Sequence, residues 1–194
     1  MSEMKGMRVG FALTGSFCTF GRILPVVEAL TAEGAEVFPL MSETAYGTDT
    51  RFGSAALWVS RLEKICGRSV LHSIVHAEPV GPQKMLDVLV VAPCTGNTLG
   101  KLSAGVTDTA VTMACKAHLR NGRPLVLGIS TNDGLSAAAV NIGALLARKQ
   151  VFFVPFGQDD PQGKPNSLVS VMERIPDTVR AALEGAQLQP LLAV

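Results

Sequence analysis

Short apolar runs alternate with amphipathic stretches along most of the chain. The clearest run is Val88–Ala92 (VLVVA), uninterrupted and rich in β-branched residues, which predicts a strand covered on both faces. Arg8–Leu13 (RVGFAL), Glu36–Met41 (EVFPLM), Val70–His76, Leu125–Ile129 and Val151–Pro155 predict further strands. Between them the apolar spacing turns helical. One helix is expected from about Gly21 to Glu33, with Pro25 in its first turn and Gly34 as C-cap. A second spans Ser54–Ile65, with Leu57, Trp58, Leu62 and Ile65 on one face. Others cover Thr98–Ser103 (broken at Gly105), the stretch from an Asp108 N-cap to Leu119, Leu135–Arg148, and Ser167 to about Leu183 with an interruption at Pro176. Tyr46–Phe52, Glu78–Pro82, Asn121–Pro124 and Gly157–Pro165 read as loops or turns, and the tail after Gly185 as loosely ordered. There is no internal repeat and no linker. The alternation predicts one α/β domain over 1–194: a three-layer Rossmann-like (flavodoxin-like) parallel sheet with helices on both faces.

Composition narrows the class. Of the 194 residues, 47% are hydrophobic, yet no apolar run approaches the length of a membrane span. So apolar a chain is expected to hide surface by assembling into a homo-oligomer. A net charge of +1 argues against nucleic acid or an anionic membrane as the main partner. Cys18, Cys66, Cys94 and Cys115 lack CxxC spacing, which argues against a zinc or other metal site. Met1–Lys5 lead directly into the first strand without an A-x-A cleavage pattern, so a cytoplasmic protein with reduced thiols is expected.

The chemistry lies where strands end. Thr14-Gly15-Ser16, Ser42-Glu43-Thr44, Pro93–Lys101 (PCTGNTLGK) and Gly128–Gly134 (GISTNDG) each follow a strand. Taken singly, each is as well explained by a turn or a helix cap. At the carboxyl ends of four parallel strands they would share one edge, where helix N-termini offer free N–H groups to an anion. Neither G-x-G-x-x-G nor a Walker lysine is present, so a phosphate would be held by hydroxyls and amides. Asn97 combines donor and acceptor, enough to read a planar amide-like edge. Phe17, Val106 and Met113 are candidate apolar lining for a flat ring. Cys94 reads better as a buried, inert thiol than as a nucleophile. Among the histidines, His76, beside Glu78, is the better acid/base candidate; His72 and His118 read as ordinary surface or core residues.

Pro93–Asp108 (PCTGNTLGKLSAGVTD) resembles the P-x-S-x-N-T-x-x-K-x-x-x-G-x-x-D segment of the flavoprotein family that includes the peptidyl-cysteine and phosphopantothenoylcysteine decarboxylases. Ala77–Pro82, Ala92–Thr98, Met113–Asn121, Gly128–Leu135 and Phe153–Pro161 are similar, within it, to the B-subunit group of the dipicolinate-forming synthases of spore-forming bacteria. The resemblance implies FMN held between the protomers of a trimer-based assembly. It implies Gly15, Ser16 and Ser42 at the phosphate, and Pro93, Thr95, Asn97 and Thr98 around the flavin. Asp108 would orient the next helix or touch the ligand, and Ser130, Thr131 and Asn132 would close the site. It further implies oxidation of dihydrodipicolinate to dipicolinate, with an A subunit, in the mother cell of a sporulating bacterium. Cationic groups should then meet the dicarboxylate: Lys101, Lys116, Arg120 and Lys164 are candidates, and Lys116 joins His76 as a candidate catalytic group. The decarboxylases' P-x-M-N-x-x-M-W motif is replaced by Ser130-Thr131-Asn132-Asp133, which separates this chain from them. Two rival readings remain. One is a non-catalytic polypeptide that completes a partner's site, with NADPH or another nicotinamide cofactor bound there. The other is a phosphopantothenoylcysteine decarboxylase-like enzyme acting alone.

Overall fold

The computed structural model describes residues 4–193. Its elements, in chain order, are β1 (Arg8–Leu13), α1 (Phe20–Ala32), β2 (Glu36–Met41), α2 (Glu43–Gly47), α3 (Ala55–Cys66), α4 (Ile74–Ala77), β3 (Val88–Cys94), α5 (Gly96–Ala104) and α6 (Ala110–Arg120). They continue with β4 (Leu125–Thr131), α7 (Ala139–Leu146), β5 (Val151–Phe153), β6 (Phe156–Gly157), β7 (Leu168–Ser170) and α8 (Ile175–Leu183).

Strands β2, β1, β3, β4 and β5 pair in that order, all parallel. Every residue of β3 is buried, as its unbroken apolar run requires for a central strand. Alternation along the strands splits the core in two. Val9, Phe11, Val37, Val88, Val90 and Val126 face α1, α3 and α8. Ala12, Leu40, Leu89, Val91, Leu125 and Leu127 face α5, α6 and α7. The two clusters make the three-layer architecture the sequence predicts. The order of winding reverses between β1 and β3, the switch point at which open α/β sheets form a crevice.

Some elements differ from the sequence reading. The C-terminal half of the sheet is mixed: β7 runs antiparallel to both β4 and β6. Thus Leu168–Ser170, expected in a long helix, forms a strand, and the helix begins only at Ile175 with Pro176 in its first turn, where a missing N–H costs nothing. Val70–His76 is not a strand. Leu71 makes one isolated bridge to Leu40, and the Ser73 side chain then caps α4. Pro25 lies beyond the first turn of α1, because that helix starts at Phe20 after a 3-10 turn over Phe17–Thr19. The helix expected over Leu135–Arg148 shortens to Ala139–Leu146, preceded by turns. The tail is tied down rather than loose. Gln187 brackets the backbone N–H and C=O of Phe153 at 2.8 and 2.7 Å, and Leu192 bridges Phe156.

Candidate functional site

The carboxyl ends of β1, β2, β3 and β4 lie along one rim. Their polar clusters are in direct contact. Ser16 Oγ is 2.7 Å from Ser130 Oγ, which is 3.0 Å from Thr19 Oγ1. Thr14 donates from Oγ1 to the Pro93 carbonyl at 2.7 Å and accepts from the Thr95 N–H at 3.1 Å, stapling the end of β1 to the end of β3. Thr131 Oγ1 donates to the Asp133 carboxylate, within the loop that follows β4.

Two hollows open on this rim and share Gly15 and Thr95. The smaller, about 250 Å³, is lined by Thr14, Ser42, Thr44, Asn97, Thr98, Lys101 and Thr109 as well. None of these carries a carboxylate. The larger, about 380 Å³, adds Ser16, Thr19, Arg22, Ser130, Thr131, Asn132, Asp159 and Lys164. Gly15 lines both hollows, and a Cβ there would meet only Phe17 and Thr44, at 3.7 and 3.9 Å.

The N-cap residues of three helices line the smaller hollow. Ser42 caps α2 by accepting from the Ala45 N–H at 3.2 Å, and Thr95 caps α5 by accepting from the Thr98 N–H at 3.3 Å. Thr109 caps α6 in a reciprocal box with Thr112. This corrects the expected N-cap at Asp108, an exposed carboxylate that instead takes the Lys101 ammonium at 2.9 Å. That hydrogen bond holds the Asp108 carboxyl below the ordinary carboxylate range. Glu43 spans from α2 to α6 and accepts the Ala110 N–H at 3.0 Å, tying the hollow's two walls together. Asp159, in the larger hollow, is also held below its ordinary range, first by a hydrogen bond from Ser167 and further by the nearby Lys164 ammonium.

The structure thus brings together Gly15, Ser16, Ser42, Thr95, Asn97, Thr98, Ser130, Thr131 and Asn132. Pro93 is buried behind them and contributes its carbonyl. Neither candidate catalytic group reaches either hollow. His76 is exposed on α4, edge-on to His72 at 5.0 Å, and His72 stacks on Tyr46 at 3.7 Å. Lys116 lines a separate cavity on α6. Burial pushes the Cys94 thiol well above its ordinary pKa, consistent with an inert residue. The expected apolar lining is absent from both hollows: Phe17 packs against Phe20, Met113 against the second core cluster, and Val106 lines the cavity of Lys116. Thr19, Arg22, Thr109 and Asp159 belong to the rim but escaped the sequence reading. Thr19 lies in a 3-10 turn ahead of the expected helix, and Arg22 reaches the rim because α1 starts directly after that turn. Asp159 arrives from a loop whose path is set by the antiparallel corner.

The family model described as Flavoprotein matches residues 1–180. The chain belongs to the flavoprotein family. Among curated relatives of this flavoprotein, the dipicolinate synthase B subunit of Bacillus subtilis is 50% identical over 192 residues, covering 99% of this chain and 96% of the relative. The crystal structure of the dipicolinate synthase B subunit from Bacillus halodurans superposes with a TM-score of 0.91 at 48% identity, covering 98% of both chains. The FMN-dependent cysteine decarboxylase SpaF shares the flavoprotein fold at 17% identity, with a TM-score of 0.67 over 94% of this chain and 98% of that one.

Proposed function

We propose that this flavoprotein binds FMN on its polar rim and acts as the B subunit of a dipicolinate synthase, oxidising dihydrodipicolinate to dipicolinate with a separate A subunit. The observation that carries the cofactor reading is the smaller hollow: hydroxyls, a side-chain amide, three helix N-caps and an ammonium, with no carboxylate among its lining residues. That donor set suits a phosphate dianion and needs no glycine-rich dinucleotide loop. The full-length similarity to the two B-subunit relatives supports the reaction.

In this reading Gly15, Ser42 and Thr44 hold the phosphate, while Asn97, Thr98 and Thr95 read the rest of the cofactor toward the larger hollow. Ser16 and Ser130 couple the two hollows through their hydrogen bond. A bound flavin supplies a two-electron acceptor for the hydride that leaves the dihydropyridine ring. The chain's own contribution is to orient and to move a proton. In this reading Arg22 and Lys164 meet the substrate's carboxylates, and the Asp159 carboxylate, which lines the same hollow, takes the proton. NADPH on the A subunit, a trimer-based assembly and a mother-cell, cytoplasmic location belong to the same reading. Exposed apolar side chains such as Val75 (79% exposed) and Val140 (74%) support assembly.

The test is a visible absorbance spectrum of the purified chain before and after adding FMN, followed by assay alone and with the A subunit. Flavin absorbance with turnover only in the mixture supports the proposal. A colourless chain that restores activity to the A subunit assigns the redox step to that partner. Turnover of a cysteine derivative by the chain alone assigns it to the decarboxylases.

A further inference from the structure

Most arginines of this chain have an anionic partner. Arg8 and Arg123 share Asp87, Arg22 takes Glu173, Arg68 takes Glu36, and Arg174 and Arg180 take Asp177. Arg51 and Arg61 lie over the rings of Phe52 and Trp58. Lys116, Arg120 and Arg148 are different. Among the described residues none of them forms an ion pair, yet all three line a single cavity of about 430 Å³, away from the rim. No carboxylate lines it.

Two features show that this is more than a solvated face. Lys116 and Arg120 are four residues apart on α6, so their like charges lie side by side, an arrangement that is mildly destabilising in the absence of a counter-charge. Arg148 is fixed: its guanidinium donates to the carbonyls of Leu102 at 3.1 Å and Ser103 at 2.7 Å, at the end of α5. A planar cation held by the α5 backbone thus shares the cavity with two exposed cations on α6. Between them the wall is apolar, formed by Leu102, Val106 and Leu119, and Val106 is 43% exposed.

We infer that this cavity binds a compact organic dianion with a flat apolar body, of the aromatic dicarboxylate class, between Arg148 and the Lys116–Arg120 pair. The two ends of such a ligand would meet separate cations while its ring covers the exposed aliphatic wall. Inorganic phosphate shares the charge but not the ring, so the apolar wall distinguishes the two. The site stands apart from the proposed cofactor and substrate hollows, and the inference does not require turnover. Under the proposed function, its ligand would be the reaction's own product.

The test is calorimetric titration of the full chain with pyridine-2,6-dicarboxylate, pyridine-2-carboxylate and inorganic phosphate, in wild type, K116A/R120A and R22A/K164A. Expected is a dicarboxylate site that survives in R22A/K164A, weakens with salt and weakens at least tenfold in K116A/R120A; binding at the rim, where Arg22 and Lys164 meet the substrate's carboxylates, is a separate step of the titration that R22A/K164A removes. The monocarboxylate and phosphate should bind at least tenfold more weakly. FMN titration and thermal midpoint, both unchanged in K116A/R120A, exclude a general folding defect. No binding of the dicarboxylate, a titration in K116A/R120A identical to wild type, no binding left in R22A/K164A, or phosphate binding as tightly as the dicarboxylate each overturns the inference. Failure of FMN to bind would sink the proposed function and leave this result untouched.

Discussion

At the residue scale, Gly96, at the start of α5, lies tight against the end of β4 and the loop that follows it. A Cβ there would stand 2.7 Å from both Thr131 Oγ1 and Asp133 Oδ1, so an alanine must displace these two side chains and their mutual hydrogen bond. Gly96→Ala is therefore expected to weaken FMN binding by tenfold or more while leaving the helical content intact, read by flavin titration alongside circular dichroism. Asp159→Asn should lower turnover of the assembled enzyme at least a hundredfold with little change in FMN affinity, the pattern of a lost proton acceptor. His118 gives a pH signature. It is buried on α6 with Nε2–H donating to the Pro124 carbonyl at 2.9 Å, and burial pulls its pKa from 6.5 to about 4. The unfolded chain takes up this proton below pH 6.5 and the folded chain only near 4. This contribution is thus fully present above 6.5 and is lost as the pH falls, by up to about 3 kcal/mol. Denaturant unfolding at pH 7 and pH 4.5 should show that loss in wild type and much less of it in His118→Gln. His118 reads from sequence as an ordinary core or surface residue; its neighbour across the turn, Pro124, is visible only in the fold.

At the scale of elements, the caps separate structural from functional serines. Ser54 accepts the Leu57 N–H at the start of α3 and lines neither rim hollow, so Ser54→Ala should cost about 1 kcal/mol of stability and nothing in FMN binding. Ser42→Ala removes the equivalent bond at α2, costs a similar amount, and should weaken FMN binding as well. Thermal melts paired with flavin titration check both. These caps also show what patterning can and cannot reveal. The helix after Ser54 and the Gly105 stop of α5 follow from local rules, and the structure has both, with Ser54 as the N-cap. Val70–His76 carries strand-like residues, but Leu71 finds only a single bridge to Leu40 and Ser73 opens a helix. Leu168–Ser170 fits inside a helical window, and only β4 and β6 on either side decide for a strand. The local signal there is weaker than the tertiary pairing that overrides it.

At the scale of the molecule, the rim was legible because parallel strands point the same way: four polar clusters after four strands must share an edge. The C-terminal corner was not, because β6, β7 and the tail depend on contacts distant in sequence. Gln187 satisfies both backbone groups of Phe153, and Ala193 donates to the Phe156 carbonyl at 2.9 Å. Removing the chain from Gln187 onward should lower stability by about 2–4 kcal/mol, roughly the bonds lost plus the uncovered edge, measured by urea unfolding. It should also free the segment that carries Asp159 and Lys164, and so depress turnover more than FMN affinity.

The bridge from Glu43 to the Ala110 N–H has a temporal meaning. It fastens α2 to the head of α6 beside the pocket's mouth, like a latch across a drawer. Under the proposed function, FMN held between these walls should leave slowly and survive prolonged dialysis. Glu43→Ala should shorten its residence time far more than it slows its arrival.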